Sequence, residues 1–327
     1  MNHVKTVVVI ICLFLATSVF ADGIEKNVDK SFSVGKGGTL ELISGSGSVD
    51  ITSHSENEVI INVTLTAMSS NANKAEDIFK NFELTFNHNG NDVRIEGDML
   101  NQQLWWNNRL KVQYKVIVPQ YYNLKIATSG GNIETADIKG RVILKTSGGS
   151  IIMGRVDGEV NAKTSGGGIA LKQSTGNASL RTSGGSIRIG EVDGDVNANT
   201  SGGNIDVDIV RGNLKAATSG GGLHFRNING NLVGKTSGGS IVAELSAQVS
   251  EPVELYTSGG NITLTVPPDF KANFAASTLG GHVYTDMPVT VQGNISSSSL
   301  NGLMNGGGPD VSLKTMGGNI EIIKNLD

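Results

Sequence analysis

The hydrophobic positions of this chain follow a regular repeat. Apolar residues recur two positions apart and are bounded by glycine, as at Ile187, Ile189 and Val192. Such alternation predicts short strands with one buried face, so each repeat is expected to hold two strands and two or three corners. The tetrapeptide Thr-Ser-Gly-Gly marks a constant period of eighteen positions and begins at Thr128, Thr146, Thr164, Thr182, Thr200, Thr218 and Thr236.

The uninterrupted repeat predicts the fold class. One repeat cannot bury its inner face alone, whereas stacked repeats share a continuous core. We therefore predict an all-β protein, a right-handed parallel β-solenoid (β-helix) with about 18 residues per coil and coils ~4.8 Å apart. In this fold the threonines stack as a ladder of β-branched side chains. The glycines provide corners, through positive φ or through close backbone approach between coils.

The part before the repeat, 22–127, predicts a β-rich N-terminal section that leads into the solenoid. Segments such as "EVIINVTLTA" and "RLKVQYKVIVP" alternate as strands. Between them, "NANKAEDIFKNF" predicts one short helix with Asn or Ser as N-cap. Its residues Ile78, Phe79 and Phe82 are expected on one side.

The part after the strict repeat is less regular. We predict regular coils over 128–245, and irregular coils with a cap over 246–327. Prolines and inserted pieces interrupt the period in this last section. The Ser-, Asn- and Gly-rich stretch at 296–310 predicts a mobile loop, after which "SLKTMGGNIEII" returns to the coil pattern.

The start of the chain, 1–21, has the pattern of a secretory signal peptide. Lys5 precedes the apolar run "VVVIICLFLA", and "SVFA" provides a small-residue cleavage site after Ala21. The apolar run is shorter than the ~20 residues that cross a bilayer. No later segment is long and apolar enough to span a membrane, so we predict export to the periplasm or the cell surface.

Composition excludes several function classes. Cys12 is the only cysteine and lies in the predicted signal peptide, so the mature chain is expected to lack disulfides, thiol catalysis and cysteine metal sites. The formal net charge of −4 does not suggest a nucleic-acid partner. The repeat lacks the regular aspartates of calcium-binding nonapeptides and the Gly-Lys-Ser/Thr of a phosphate loop. We predict no metal and no cofactor.

The repeat and its ends resemble a known family. The stretches "VPQYYNLKIATSGGNIETADIKGRVILKTSGGSI" and "GGGPDVSLKTMGGNIEI" are similar to the bacterial putative-adhesin family of exported β-strand-repeat proteins. The resemblance extends from about residue 30 to the end of the chain. It implies a β-solenoid in the cell envelope or outside it, and it brings no catalytic motif.

No residue is predicted to be catalytic, although two polar groups are candidates. His224 and Ser237 fall on neighbouring coils, but the serine belongs to the repeated corner. The densest acidic group is Asp193, Asp195, Asp206 and Asp208. It could form a carboxylate pair or a weak calcium site, or a solvated outer face, which the regularity of its coils favours.

Two surface features are candidates for binding. Lys145, Lys163 and Arg181 occupy one position of three successive repeats, and Trp105 and Trp106 are the only tryptophans. Stacked cations can meet anionic glycans or headgroups, although ordinary solubility is the favoured interpretation. An exposed tryptophan can stack on a sugar ring, although packing in an end cap is favoured for this pair. We predict an exported, non-enzymatic, adhesin-like or scaffold protein of the bacterial envelope with a glycan or protein partner. A polysaccharide-active β-helix enzyme and a self-assembling scaffold are the alternatives.

Overall fold

The chain forms two compact units, of which one ends at Asp157 and the other begins at Gly158. We call them the N-terminal unit and the C-terminal unit. Of the predicted signal peptide, 1–21, only Val19–Phe20 falls within the described part of the chain. The computed structural model describes residues 19–20, 23–100, 110–245, 247–291 and 296–325.

The described residues of the N-terminal unit form two β-sheets and one helix. Its strands are β1 (Val19–Phe20), β2 (Gly23–Ser33), β3 (Thr39–Ser44), β4 (Ser48–His54), β5 (Glu58–Ala67), β6 (Phe82–Asn89), β7 (Asp92–Met99), β8 (Leu110–Pro119), β9 (Asn123–Thr128), β10 (Ile133–Thr135), β11 (Ile138–Lys139), β12 (Val142–Lys145) and β13 (Ile151–Asp157). One sheet has the order β1-β2-β5-β8-β4-β10-β13, antiparallel as far as β8 and parallel beyond it. The other has the order β6-β7-β3-β9-β12 and is antiparallel only between β6 and β7.

The helix, α1, spans Ala72–Lys80. The side chain of Asn71 caps its start, because Oδ1 accepts hydrogen bonds from the backbone N–H groups of Asn73 and Lys74. Ile78 and Phe79, which are predicted to lie on one side, are both buried. Phe82 is also buried, but it belongs to β6, because the helix ends at Asn81 and the chain then becomes extended.

The C-terminal unit contains two long sheets. Its strands are β14 (Val160–Lys163), β15 (Ile169–Ser174), β16 (Ala178–Arg181), β17 (Ile187–Val192), β18 (Val196–Asn199), β19 (Ile205–Val210), β20 (Leu214–Ala217), β21 (Leu223–Arg226), β22 (Leu232–Lys235), β23 (Ile241–Glu244), β24 (Val253–Tyr256), β25 (Ile262–Val266), β26 (Ala272–Thr278), β27 (Val283–Thr285), β28 (Val289–Val291), β29 (Ser299–Met304), β30 (Asp310–Thr315) and β31 (Ile320–Lys324). Sheet A has the order β15-β17-β19-β21-β23-β25-β31-β27 and is parallel. Sheet B has the order β14-β16-β18-β20-β22-β24-β30-β26 in parallel, followed by antiparallel β29 and β28. The prediction of an all-β protein with long parallel sheets is confirmed.

The strand register of the C-terminal unit follows the sequence repeat. Ile187 pairs with Ile205 in sheet A, and Val196 pairs with Leu214 in sheet B, so paired residues are 18 positions apart. Towards the C-terminus the offset grows, because inserted segments lie between paired strands. One insertion differs from its prediction: the stretch 296–310, predicted as a mobile loop, contains β29, which pairs with β26.

The core of the C-terminal unit is built from inward-facing aliphatic side chains. Ile187, Ile205 and Leu223 stack on neighbouring strands and are fully buried. Ser174 occupies a core position that is apolar in the other repeats, and it is fully buried too. Its Oγ lies 2.9 Å from the carbonyl oxygen of Gly158, so the hydroxyl keeps a hydrogen bond where its burial would otherwise be costly.

The motif threonines connect successive sequence repeats through their hydroxyl groups. Thr218 Oγ1 donates a hydrogen bond to the carbonyl oxygen of Gly203 (2.9 Å) and accepts one from the N–H of Gly221 (3.3 Å). The sequence predicts these residues to form a ladder of β-branched side chains. In the structure they are buried, and their hydroxyl groups also form hydrogen bonds. In the C-terminal unit the same pair of bonds is made by Thr182, Thr200, Thr236, Thr257, Thr278 and Thr315.

The two glycines of each motif differ in the space around them. A Cβ added to Gly221 would lie 2.0 Å from the carbonyl oxygen of Gly203, whereas one added to Gly220 would lie 3.4 Å from that of Gly202. Neither glycine has a positive φ. The sequence predicts two possible reasons for these glycines, positive φ and close backbone approach. Close backbone approach is the reason that applies, and it applies to the second glycine of the motif.

Tyr114 of β8 gives the N-terminal unit a pH-dependent contribution to stability. Its side chain is fully buried, with the hydroxyl 2.8 Å from Ser44 Oγ, and burial raises the pKa of Tyr114 to about 12. Because the folded-state pKa lies above the unfolded value of ~10, the contribution is complete below pH ~10 and is lost as the pH rises towards 12.

We therefore expect Tyr114→Phe to be less sensitive to alkali than the wild type. Urea unfolding at pH 8 and pH 11 should show the wild type losing ~1 kcal/mol more stability between the two than the variant. At pH 8 the variant should be ~1 kcal/mol less stable, because it lacks the hydrogen bond. Ser44 Oγ keeps its bond to the carbonyl of Ser46 (2.6 Å). Equal alkaline losses in both proteins would contradict the assignment.

Candidate functional site

The outward side of sheet A in the C-terminal unit carries a cluster of paired charges. The register places Arg188, Asp206 and His224 next to one another on β17, β19 and β21. His224 Nδ1 lies 2.8 Å from Asp206 Oδ1, and Arg226 Nη1 donates to Asp208 Oδ1 at 2.6 Å. We call these five side chains the paired-charge face. Together with Val207 they line a hollow of about 420 Å³.

The two other predicted acids lie in separate arrangements. Asp193 Oδ1 accepts a hydrogen bond from Arg211 Nε at 2.7 Å, and Glu191 forms an ion pair with the same guanidinium. The bond to Asp193 and the charge of Glu191 raise the pKa of Arg211. Asp195 Oδ1 instead accepts from the backbone N–H of Asn213 at 2.8 Å. The acidic group of the sequence is therefore divided in three.

Each of these four carboxylates has a partner one repeat further along the chain, 18 residues away. Exposed ion pairs of this kind contribute ~0.2–1 kcal/mol each. A substrate entering the hollow would have to displace the side chains of His224 and Arg226, which Asp206 and Asp208 already contact. Among the described residues, no three His, Cys, Asp or Glu side chains are arranged to hold a metal ion. Ser237 lies in the corner after Thr236, and the partner that the structure gives His224 is Asp206.

The outward side of sheet B presents a different surface, which we call the basic face. It consists of the outward side chains of β14, β16, β18, β20 and β22. Lys163 pairs with Arg181 on the neighbouring strand. Lys235 pairs with Ala217 of β20, the strand that also carries Lys215. The four cations are exposed, and within the described part of the chain none of them forms an ion pair. The ten outward side chains are Asn161, Lys163, Ser179, Arg181, Asn197, Asn199, Lys215, Ala217, Val233 and Lys235.

The predicted binding residues are distributed unevenly over the structure. Lys163 and Arg181 lie together on the basic face, whereas Lys145 is an exposed residue at the end of β12 in the N-terminal unit. Trp105 and Trp106 lie outside the described residues. Sequence reasoning overlooked Lys215 and Lys235, although the period itself places Lys235 at the same repeat position as Lys163.

The N-terminal unit has a smaller charged cluster. Glu41 forms ion pairs with Lys125 (2.7 Å) and Arg94 (2.8 Å) beside a hollow of about 400 Å³. The hydrogen bond from Lys125, together with the charges of both cations, holds the pKa of Glu41 below its usual value despite partial burial. The acidic and basic side chains of this cluster largely pair with one another, as they do on the paired-charge face. Throughout the described residues, no helix has the length and apolar character needed to cross a membrane.

Several solved structures resemble this chain at low sequence identity. A putative adhesin from Parabacteroides merdae is 11% identical, with a TM-score of 0.40, over 91% of this chain and 96% of that one. A putative adhesin from Bacteroides fragilis is 10% identical, with a TM-score of 0.35, over 92% and 97%. A putative lipid binding protein from Parabacteroides distasonis is 14% identical, with a TM-score of 0.32, over 91% and 96%.

Family membership rests on a match to a sequence model. No curated protein matches the chain. The model of the family described as Toastrack DUF4097, however, matches residues 39–323. The match includes the strands of the paired-charge face and of the basic face, and it covers most of the sequence. The chain therefore belongs to the Toastrack DUF4097 family, in agreement with the resemblance to exported putative adhesins.

Proposed function

We propose that this protein is an exported, non-enzymatic β-solenoid that acts as an adhesin-like or scaffold protein of the bacterial cell envelope. The observation that carries the proposal is the contrast between its two outer surfaces. Asp206 and Asp208 of the paired-charge face contact His224 and Arg226 of the next repeat, whereas the basic face presents four exposed cations that form no ion pair within the described part of the chain. Many weak contacts along such a surface add up through multivalency.

The finer features of the fold belong to this proposal. A coil that holds one sequence repeat is supported by the constant register of the C-terminal unit, and a right-handed sense is part of the proposal. The proposal keeps the predicted parts of the sequence: a β-rich section at 22–127, regular coils over 128–245 and a cap at 246–327. Cleavage after Ala21 would release the mature chain into the periplasm or onto the cell surface. Cell fractionation with N-terminal sequencing tests this; a cytoplasmic chain that begins at Met1 would overturn it.

A binding experiment tests the proposed function. The purified mature protein is incubated with a glycan array and with solubilised envelope proteins, and saturable binding to at least one of them is expected. Heat-denatured protein is the control for non-specific adsorption. If the folded protein binds neither glycans nor envelope proteins, an adhesin-like role is wrong. A concentration-dependent increase of particle size in light scattering, without any binding, would favour a self-assembling scaffold instead.

One observation favours a polysaccharide-active enzyme as second candidate. Asp206 and Asp208 share one side of β19 and line the hollow together with His224. Release of reducing ends or unsaturated sugars from a polysaccharide panel, abolished in the Asp206→Asn, Asp208→Asn variant, would support this enzyme. We expect the wild type to release no product. The free energy of unfolding of the variant should lie within ~1 kcal/mol of that of the wild type, since exposed ion pairs contribute little.

A further inference from the structure

We propose that the basic face binds a linear acidic polysaccharide, which lies along the stack of strands. The inference rests on the proposed binding function and names the chemistry of its ligand. Four cations, Lys163, Arg181, Lys215 and Lys235, are the groups that would contact its carboxylates or sulfates.

Charge complementarity is the first reason. Four of the ten outward side chains of the basic face are cationic and none is acidic. On sheet A of the same unit, Arg226 and Arg211 contact carboxylates of neighbouring strands. Sheet A also carries Lys172 and Arg188, but there the cations share the outward side with carboxylates, whereas on the basic face no carboxylate competes with an external anion. A polyanion that binds to a row of cations releases counterions, and this release favours binding. The contribution weakens as the salt concentration rises.

The spacing of the cations is the second reason. Adjacent strands are ~4.8 Å apart, so the five strands of the basic face extend ~19 Å along the stack. Lys163 and Arg181 occupy the first two strands, Lys215 and Lys235 the last two, and Asn197 and Asn199 the strand between them. A small anion could contact only one pair of cations. An extended polymer with an acidic group on successive sugars could contact both pairs at once.

The remaining side chains favour a sugar over a lipid surface. Asn161, Ser179, Asn197 and Asn199 provide hydrogen-bond donors and acceptors to sugar hydroxyl groups. Binding at a membrane interface uses aromatic or large aliphatic side chains that enter the acyl region. The only larger aliphatic side chain of the basic face is Val233, which is half-buried.

The test compares two variants with the same change in charge. One removes the basic face: Lys163→Gln, Arg181→Gln, Lys215→Gln and Lys235→Gln. The control makes the same four types of substitution elsewhere: Lys172→Gln, Arg155→Gln, Lys271→Gln and Lys324→Gln. Binding to size-defined oligogalacturonates, to neutral dextran and to vesicles of anionic phospholipid is measured by calorimetry. Circular dichroism and urea unfolding establish that both variants are folded.

We expect the wild type to bind oligogalacturonate and not dextran, with an affinity that falls as the salt concentration rises. The basic-face variant should lose at least tenfold in affinity, whereas the control should stay within twofold. Equal losses in both variants would overturn the proposal, because only net charge would then matter. Binding confined to vesicles of anionic phospholipid would assign the surface to membranes instead. Absence of acidic-polysaccharide binding, with another ligand found on the array, would overturn this inference alone and leave the binding function standing.

Discussion

Alanine at Gly221 is expected to lower the free energy of unfolding by ~3 kcal/mol or more, whereas alanine at Gly220 should change it by less than ~1 kcal/mol. The new Cβ at Gly221 would meet the Gly203 carbonyl oxygen at 2.0 Å. Both atoms belong to backbone inside the coil stack, so neither can move away as a flexible side chain would. Overpacking of a rigid interior costs ~1–3 kcal/mol, and more when the backbone must shift.

The neighbouring glycine is the matched control. Alanine at Gly220 adds the same methyl group one residue earlier, at an ordinary contact distance of 3.4 Å. It also reduces the conformational entropy of the unfolded chain, which offsets part of any strain. Urea unfolding of both variants measures the difference, and Gly238→Ala with Gly239→Ala repeats the comparison one coil later. Similar stabilities for the two members of a pair would show that close backbone approach is not what requires the second glycine.

Much of this fold could be predicted because the sequence repeats the same pattern of buried and exposed positions. The inward-facing Ile187, Ile205 and Leu223 recur once in every repeat, and their period directly reflects the strand register. The N-terminal unit lacks such a repeat before Thr128, so the pattern could not predict its mixture of antiparallel and parallel strand pairs. Alternation predicts a strand but not its partner. Similarly, β29 lies within the stretch 296–310, which has the Ser-, Asn- and Gly-rich composition of a loop, and its pairing with β26 and β28 makes it a strand.

The functional surfaces were less predictable than the fold. Sequence spacing placed Asp206 near Asp208, but the contact of each with a side chain one repeat later depends on side-chain direction. The same spacing identified Lys163 and Arg181 as stacked cations. Lys215 lies two positions from the repeated lysine site, in the next column of the same face, and it joins the basic face only once the strands of sheet B are aligned. The side chains of a binding surface come from several strands, whereas a sequence motif lies within one segment of the chain.

Replacement of Thr236 by valine is expected to cost ~3 kcal/mol, although valine has the same shape and a higher strand propensity. Thr236 is buried, and its Oγ1 donates to the Gly221 carbonyl (2.8 Å) and accepts from the Gly239 N–H (3.3 Å). Valine would leave both backbone groups unpaired in the interior, at ~1–3 kcal/mol each.

Serine at the same position separates the two roles of this threonine. Thr236→Ser keeps the hydroxyl and removes one methyl group, so it should cost only ~1 kcal/mol. If the threonine ladder acted mainly through β-branched packing, the order would be reversed and the valine variant would be the more stable one. Urea unfolding gives the order, and hydrogen exchange at the Gly239 amide reports the lost bond directly. Because the same pair of bonds recurs at six other threonines of the C-terminal unit, a hydroxyl at this position is a requirement of the coil itself, and it explains why the motif keeps threonine even where its serine is replaced by leucine or methionine, at Leu279 and Met316.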